Sequence, residues 1–220
     1  MAQTAQHDDS RTGTRDRVLD AAEQLFVEHG FSATSLRAIA AQAQVNLAAT
    51  HYHFGSKLGL LAEVFHRRIA PIDEARIAAL DELQARVERP DVQALVRAYL
   101  TPLYALNRYG GSIQVIPALI GRIHSEPEAI SKPLLEAEFS KTAQRFTDAL
   151  CGALPRMSKA DIRWRFHFMI GAMLQLIRFS APIGGQLDTE NFAKSLDRLV
   201  SFVVGGITQT SDYSITEANT

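Results

Sequence analysis

Apolar residues recur three and four positions apart through most of the chain, the period of an amphipathic helix and not of a strand. Over Thr14 to His29 the apolar face is Val18, Ala22, Leu25 and Phe26. Gly30 follows as a C′ residue, because glycine enters the left-handed conformation without a steric penalty. Thr34 is placed to cap the next helix by accepting from an amide in its first turn. Leu36, Ile39, Ala40 and Ala43 share one side of that helix. Gln44-Val45 makes a short connection with Val45 as its apolar plug, and Asn46 is a second N-cap. Leu47 to His53 then form a helix too polar and aromatic to be interior. Two short helices joined by so tight a turn make a helix-turn-helix, whose second helix lies in the DNA major groove.

Downstream, Ser56 to about Val87 predicts a long helix with the stripe Leu58, Leu61, Ala62, Phe65 and Ile69. Pro71 has no amide to donate, so the helix is expected to kink or break there. Arg89-Pro90-Asp91 ends it, and Asp91 can cap a helix over 92–109 that Pro102 interrupts and Gly110-Gly111 stops. Further helices are expected over 112–125 and 128–153, carrying Pro117 and Pro133, then over 159–180 and 189–207 after Leu187-Asp188-Thr189. The fold class is all-α.

The last two helices differ from the others. Phe166, Ile170, Met173, Leu174 and Ile177 line one face of the first, while Phe168, Ala172, Gln175 and Phe179 line another. A helix apolar on two faces is buried on two sides. The final helix carries Phe192, Leu196, Leu199 and Val203, and small Gly171 and Ala172 permit close approach. The simplest account is a pair of helices that meets its own copy across a twofold axis. The alternative is a self-contained core. Phe168, Ala172, Gln175, Phe179, Phe192, Leu196, Leu199 and Val203 are the expected dimer contacts.

Composition narrows the function. The 220 residues carry a net charge of -1, so no global basic signal marks a nucleic-acid partner. Between residues 10 and 70, Arg11, Arg15, Arg17, Arg37, Lys57, Arg67 and Arg68 stand against Asp16, Asp20, Glu23, Glu28 and Glu63, a local balance of +2. Non-specific DNA affinity is therefore expected to be modest, with two heads acting together. The single Cys151 excludes an internal disulfide, and no apolar run reaches the length of a membrane span, so a cytoplasmic location is expected. No nucleophile-elbow, Cys-His or phosphate-cradling glycine pattern points to an enzyme, and no cofactor is expected. His51 and His53 are two apart, hence on different faces of a helix, and make no metal pair.

Four blocks at linked spacing carry a resemblance: Arg17-Val18-Leu19-Asp20-Ala21-Ala22, Phe26-Val27-Glu28-His29-Gly30-Phe31, Thr34-Ser35-Leu36-Arg37-Ala38-Ile39-Ala40 and Tyr52-His53-Phe54-Gly55-Ser56-Lys57. Through them the chain closely resembles the TetR family of bacterial transcriptional regulators. The resemblance implies a flexible arm over 1–12, a DNA-binding head over 13–58 with its helix-turn-helix at about 34–53, an effector-binding and dimerising body over 59–207, and a mobile tail over 208–220. On that reading Arg37 reaches a guanine edge or a phosphate, and Asn46, Leu47, Ala48 and Ala49 face the bases. His51, Tyr52, His53 and Lys57 grip phosphates, and Thr34 joins the DNA-binding set. His51 departs from the family, in which a tyrosine is common there. Arg37 could instead be a solvated charge, and Tyr52 could pack its ring under the head, as Phe54 is expected to do.

The body's Leu119-Ile120-Gly121-Arg122-Ile123-His124-Ser125-Glu126-Pro127 and Trp164-Arg165-Phe166-His167-Phe168-Met169-Ile170-Gly171 resemble the branch of that family that responds to fatty acids or their thioesters. Tyr99, Tyr104, Arg122, His124, Trp164, His167 and Arg178 are the candidate ligand contacts. The expectation is a homodimeric one-component regulator, a repressor of a near-palindromic operator released by a small hydrophobic effector. The alternative is a small-molecule-binding helical protein with no transcriptional role.

Overall fold

The computed structural model describes residues 3–105, 115–179 and 192–209, and no strand occurs among them. The elements are α1 (Gln3–His29), α2 (Leu36–Gln42), α3 (Leu47–Phe54), α4 (Lys57–Arg86), α5 (Val92–Ala105), α6 (Val115–His124), α7 (Glu128–Ala153), α8 (Lys159–Phe179) and α9 (Phe192–Thr208). No described helix is long and apolar enough to cross a membrane. The chain divides into two compact units, one holding residues to Ala75 and from Ala105 to Lys141, the other Arg76–Tyr104 and Thr142 onward.

In the first unit, α1 is the central element. Val18, Leu19, Ala22 and Phe26 meet Ile39 and Ala43 of α2, Phe54 of α3, Leu60, Leu61 and Val64 of α4, Leu119 of α6 and Leu134 of α7 in one buried cluster. The α4 stripe is thus turned slightly from the expected one, since Leu58 is exposed while Leu60 and Val64 are fully buried. Charges fasten the rim. Arg15 pairs with Glu63, Arg67 with Asp20 at 2.8 Å, and Arg68 grips Glu23 with two 2.6 Å bonds. Because the Glu23 side chain is only 12% exposed, removing its arginines would strand a largely dry charge, at about 3 kcal/mol or more.

Local chemistry sets the boundaries, and several differ from expectation. Helix α1 starts at Gln3 instead of Thr14, continuing through the stretch expected to be a flexible arm. Gly30 ends it as expected, at φ +84° with its amide donating to Phe26 at 3.0 Å. The cap of α2 is Ser35 and not Thr34: the Ser35 hydroxyl accepts from Ala38 N at 3.1 Å. The Thr34 hydroxyl is buried and donates backward to the carbonyls of Gly30 (2.7 Å) and Leu25 (3.2 Å). Two adjacent hydroxyls both suit the cap, and only the tertiary position of the α1 terminus separates them. Asn46 caps α3 as expected, accepting from Ala48 N at 2.9 Å. Pro71 and Pro102 break nothing. The exposed Pro71 removes one intrahelical bond without ending the helix. The Gly110-Gly111 stop, Leu187-Asp188-Thr189 and most of the 208–220 tail fall outside the described residues.

In the second unit, Tyr99 is the hub. Its ring meets Phe146 (5.1 Å) and Phe166 (4.9 Å) edge-on, and the Arg76 guanidinium lies 3.9 Å over it. Arg76 also donates to the Tyr99 carbonyl at 3.0 Å and to Met173 Sδ at 3.4 Å. Helix α8 buries Ile162, Phe166, Met169 and Met173, and α9 packs on it with Leu196, Val200, Val203 and Ile207 inward. Arg165 reaches the Gly206 and Ile207 carbonyls and closes the end of α9. Arg97 ties α5 to α9 through Asp197 at 2.9 Å.

The turn between α2 and α3 yields a prediction. Gln44 N donates to Ala41 O (3.1 Å) and Val45 N to Ala40 O (3.0 Å), a Schellman closure with Gln44 at φ 55° where glycine is usual. Gln44→Gly is expected to stabilise the head by about 0.5–1 kcal/mol, read as a rise in urea midpoint at constant slope. A fall in the midpoint would contradict the strain assigned to this turn.

Candidate nucleic-acid interface

The two faces of the α2–α3 pair have opposite fates. Ile39, Ala40, Ala43, Thr50 and Phe54 are buried. Opposite them Arg37, Ala38 and Ala41 on α2, with Asn46, Ala48, His51 and Tyr52 around α3, are exposed, and Leu47, Ala49 and His53 are half-buried. Ala48, His51 and Tyr52 are three and four apart, so they share one side of α3. Tyr52 is 71% exposed, with its ring edge-on to His53 at 5.4 Å, so it does not pack under the head; Phe54 does.

Chemically, that face offers donors on a small-residue platform. Arg37 has no ion-pair or hydrogen-bond partner among the described residues, which leaves its five donors for a base edge or a phosphate. The Asn46 side-chain oxygen is used by the cap, and its amide hydrogens stay free for an acceptor. His51 Nδ1 lies 3.3 Å from the Gly55 carbonyl.

Two expected contacts move inside. The Lys57 ammonium donates to the carbonyls of Phe31 (2.9 Å) and Thr34 (3.0 Å) and stands 4.2 Å over the Phe31 ring. It ties α4 to the α1–α2 loop and is not held out as a phosphate clamp. The Thr34 side chain is 4% exposed with its hydroxyl committed, so it drops from the DNA-facing set. Arg15, Arg67 and Arg68 are also paired internally, with Glu63, Asp20 and Glu23, which cancels charge of both signs and leaves the local balance of the head unchanged.

The same α1–α2 loop is held from a third direction. Glu126, after α6, accepts from Phe31 N (3.1 Å), Ser32 N (3.2 Å) and Ser32 Oγ (2.5 Å). This tie lay inside a stretch singled out in the sequence for other reasons. A carboxylate 95 positions away in sequence gives no local signal of such a role.

Of the expected ligand contacts, the three with described side chains, Tyr99, Trp164 and His167, are not brought together. Tyr99 is enclosed by aromatic rings, whereas Trp164 (62% exposed) and His167 lie on the outward side of α8. The side chains of Tyr104, Arg122, His124 and Arg178 lie outside the described residues. A surface groove lined by Arg89, Pro90, Val92, Gly152, Pro155 and Val204 includes none of the seven candidates. Among the described residues the buried arginine of the body is Arg76, whose place within an ordinary helical stretch concealed it.

Of the expected dimer contacts, Phe168 (64% exposed) and Gln175 face outward, and Ala172 and Leu199 are half-exposed. Leu196 and Val203 instead face inward onto the core, because the inward stripe of α9 runs through Leu196, Val200, Val203 and Ile207 and so takes in two of the expected outer positions. Phe202, 74% exposed, stands on the outward side and was missed. Its three-residue offset from Leu199 was the available signal. The Phe179 and Phe192 side chains lie outside the described residues.

Comparison with known proteins follows these two surfaces. Residues 18–64 match the domain described as "Bacterial regulatory proteins, tetR family", and residues 97–206 match "Tetracyclin repressor-like, C-terminal domain". The chain is 35% identical over 78 residues to the HTH-type transcriptional repressor BepR of Brucella suis, a match spanning 36% of this chain and 35% of that protein. It is 23% identical over 203 residues to the HTH-type transcriptional repressor KstR2 of Rhodococcus jostii, covering 90% of this chain and 92% of the relative. The crystal structure of HlyIIR, a hemolysin II transcriptional regulator, superposes with a TM-score of 0.57 at 22% identity, covering 91% of this chain and 99% of that one.

The two cations at the head are expected to separate cleanly. Lys57→Ala should cost about 1–3 kcal/mol of stability, through the donor lost to the Thr34 carbonyl and the lost cation–π contact with Phe31, while the Phe31 carbonyl still accepts from Thr34 N. Arg37→Ala should stay within about 0.5 kcal/mol of the parent. Thermal unfolding of both variants checks this; a destabilised Arg37 variant would mean that its side chain is committed inside the head.

Proposed function

The chain belongs to the TetR family of bacterial regulatory proteins, and from that footing we propose that it is a homodimeric one-component repressor that binds a near-palindromic operator and leaves it when a small hydrophobic effector binds. It is a transcriptional regulator carrying a helix-turn-helix, of a family of regulators and not of enzymes. The observation that carries the proposal is the exposed face of α2 and α3, with Arg37, Asn46, Ala48, His51 and Tyr52 on one side and a packed core behind them.

A single recognition helix covers too few base pairs for a unique operator, and two heads about 34–36 Å apart would read successive turns of one groove. The second copy is supported by α8 and α9, which pack on each other and leave Trp164, Phe168 and Phe202 exposed, along with small Gly171 and Gly205. Aromatic side chains bury about 150–250 Å² each on association, so a patch of this kind favours an obligate partner. Repression is supported by the names of BepR and KstR2.

The effector class is a small apolar molecule, with a fatty acid or its thioester suggested by the resemblance of residues 119–127 and 164–171. In the first unit, α6 packs on α1 and Glu126 ties the segment behind α6 to the head loop. Movement of α6 would therefore reach the root of α2, and an effector that prefers one position of α6 would alter the head that meets DNA. A regulator working on chromosomal DNA belongs in the cytoplasm.

Two outcomes are expected. With a duplex recovered by selection from random DNA, Arg37→Ala should weaken binding by about 1–3 kcal/mol per head without changing the oligomeric state; unchanged affinity would remove Arg37 from the interface. The double variant Phe168→Asp, Phe202→Asp should sediment as a monomer, and a surviving dimer would place the twofold contact elsewhere.

A further inference from the structure

The His51 ring is engaged by the backbone at the end of α3. His51 is in the last turn of α3, exposed, on the same side as Ala48 and Tyr52. Its Nδ1 lies 3.3 Å from the carbonyl oxygen of Gly55. A carbonyl only accepts, so Nδ1 must carry a hydrogen, which leaves two forms of the ring. In the neutral form Nε2 holds a lone pair and meets a phosphate oxygen lone pair to lone pair. In the imidazolium form Nε2 also carries a hydrogen and donates.

We propose that His51 makes operator binding proton-linked: only the imidazolium, fixed by Gly55, contacts the DNA phosphate, so each head takes up a proton as it binds. The proposal rests on the DNA-binding reading given above.

The surroundings support the charged form in the complex and nothing in the head substitutes for it. Helix α2 contributes Arg37 as its one charge, and α3 itself contributes Tyr52 and His53 as its other titratable groups. From α1, Arg15 stacks on Phe54 at 5.7 Å and is neutralised by Glu63, while Asp20 and Glu23 are held by Arg67 and Arg68. At the start of α4, Lys57 is held by the Phe31 and Thr34 carbonyls. No carboxylate pairs with His51 among the described residues, so a phosphate would be the first anion its Nε2 meets. Imidazole changes charge between about pH 5 and 8, where ordinary carboxylates and lysines do not.

The sign follows. Affinity falls as pH rises, because a ring that has lost the Nε2 hydrogen while keeping the Gly55 contact has nothing to donate to a phosphate oxygen. One charge-assisted contact corresponds to roughly a tenfold change in affinity per head. The salt dependence changes with it, because each phosphate contact contributes a slope of about 0.9 in log affinity against log salt.

The test uses the full-length protein and a fluorescent duplex recovered by selection from random DNA near pH 6, titrated across salt at about pH 6 and pH 8. The parent should bind about tenfold more weakly per head at the higher pH, with its salt slope shallower by about 0.9 per head. His51→Lys, charged throughout, should bind tightly at both pH values. His51→Gln should bind weakly at both, with a thermal midpoint like the parent's, since the side chain is exposed. Equal affinities and slopes for the parent at the two pH values, or a pH loss that survives in His51→Gln, would overturn the proposal and leave DNA binding intact. If no duplex is enriched at either pH, the DNA-binding reading falls and takes the proposal with it.

Discussion

The burial of one face of α2 and α3 against α1 is the constraint on which the head depends. Phe26 is the largest apolar side chain of the α1 face, and Ile39 and Phe54 close on the cluster it belongs to from the two short helices. Helices of seven and eight residues are too short to be stable alone in water. Their existence follows from packing and from caps, Ser35 on one and Asn46 on the other. Because the apolar side of each is committed to α1, the polar side is left outward without any further device, and the recognition surface is a by-product of the core.

Charge is distributed by the same logic. Cations that the sequence places near the DNA are largely spent on holding α4 to α1 and to the loop after it: Lys57 on two carbonyls, Arg67 and Arg68 on Asp20 and Glu23. Such contacts keep the head a single body. That leaves Arg37 as a cation of α2 with no partner among the described residues.

Much of this was legible in the sequence where a residue's role is set by near neighbours. The helix-turn-helix spacing, the Asn46 cap, the Gly30 stop and the span of α7 are all read from a few adjacent positions, and the structure reproduces them. What failed depended on distant partners. Thr34 and Ser35 are equivalent as caps until the α1 carbonyls claim the first. Lys57 resembles a surface lysine until the Phe31 and Thr34 carbonyls are brought beside it. The inward stripe of α9 is set by α8, so Leu196 and Val203 could be assigned to an outer contact and Phe202 overlooked. Pro71 and Pro102 were expected to interrupt helices, but a long helix packed along its length tolerates the loss of one bond on its solvent side.

One small feature at the α3–α4 junction has a wider consequence. A Cβ on Gly59 would lie 2.5 Å from the carbonyl oxygen of Phe54, a backbone atom that cannot move aside. The Ser56 side chain meanwhile accepts from the Gly59 amide at 3.0 Å, so the two helices are joined at a fixed, very close approach. The segment that would read DNA and the glycine that lets it sit there are therefore inherited as one cassette. A chimera built to redirect this protein to another operator has to carry its foreign recognition helix through residue 59, or stop short of Phe54 and keep the native joint.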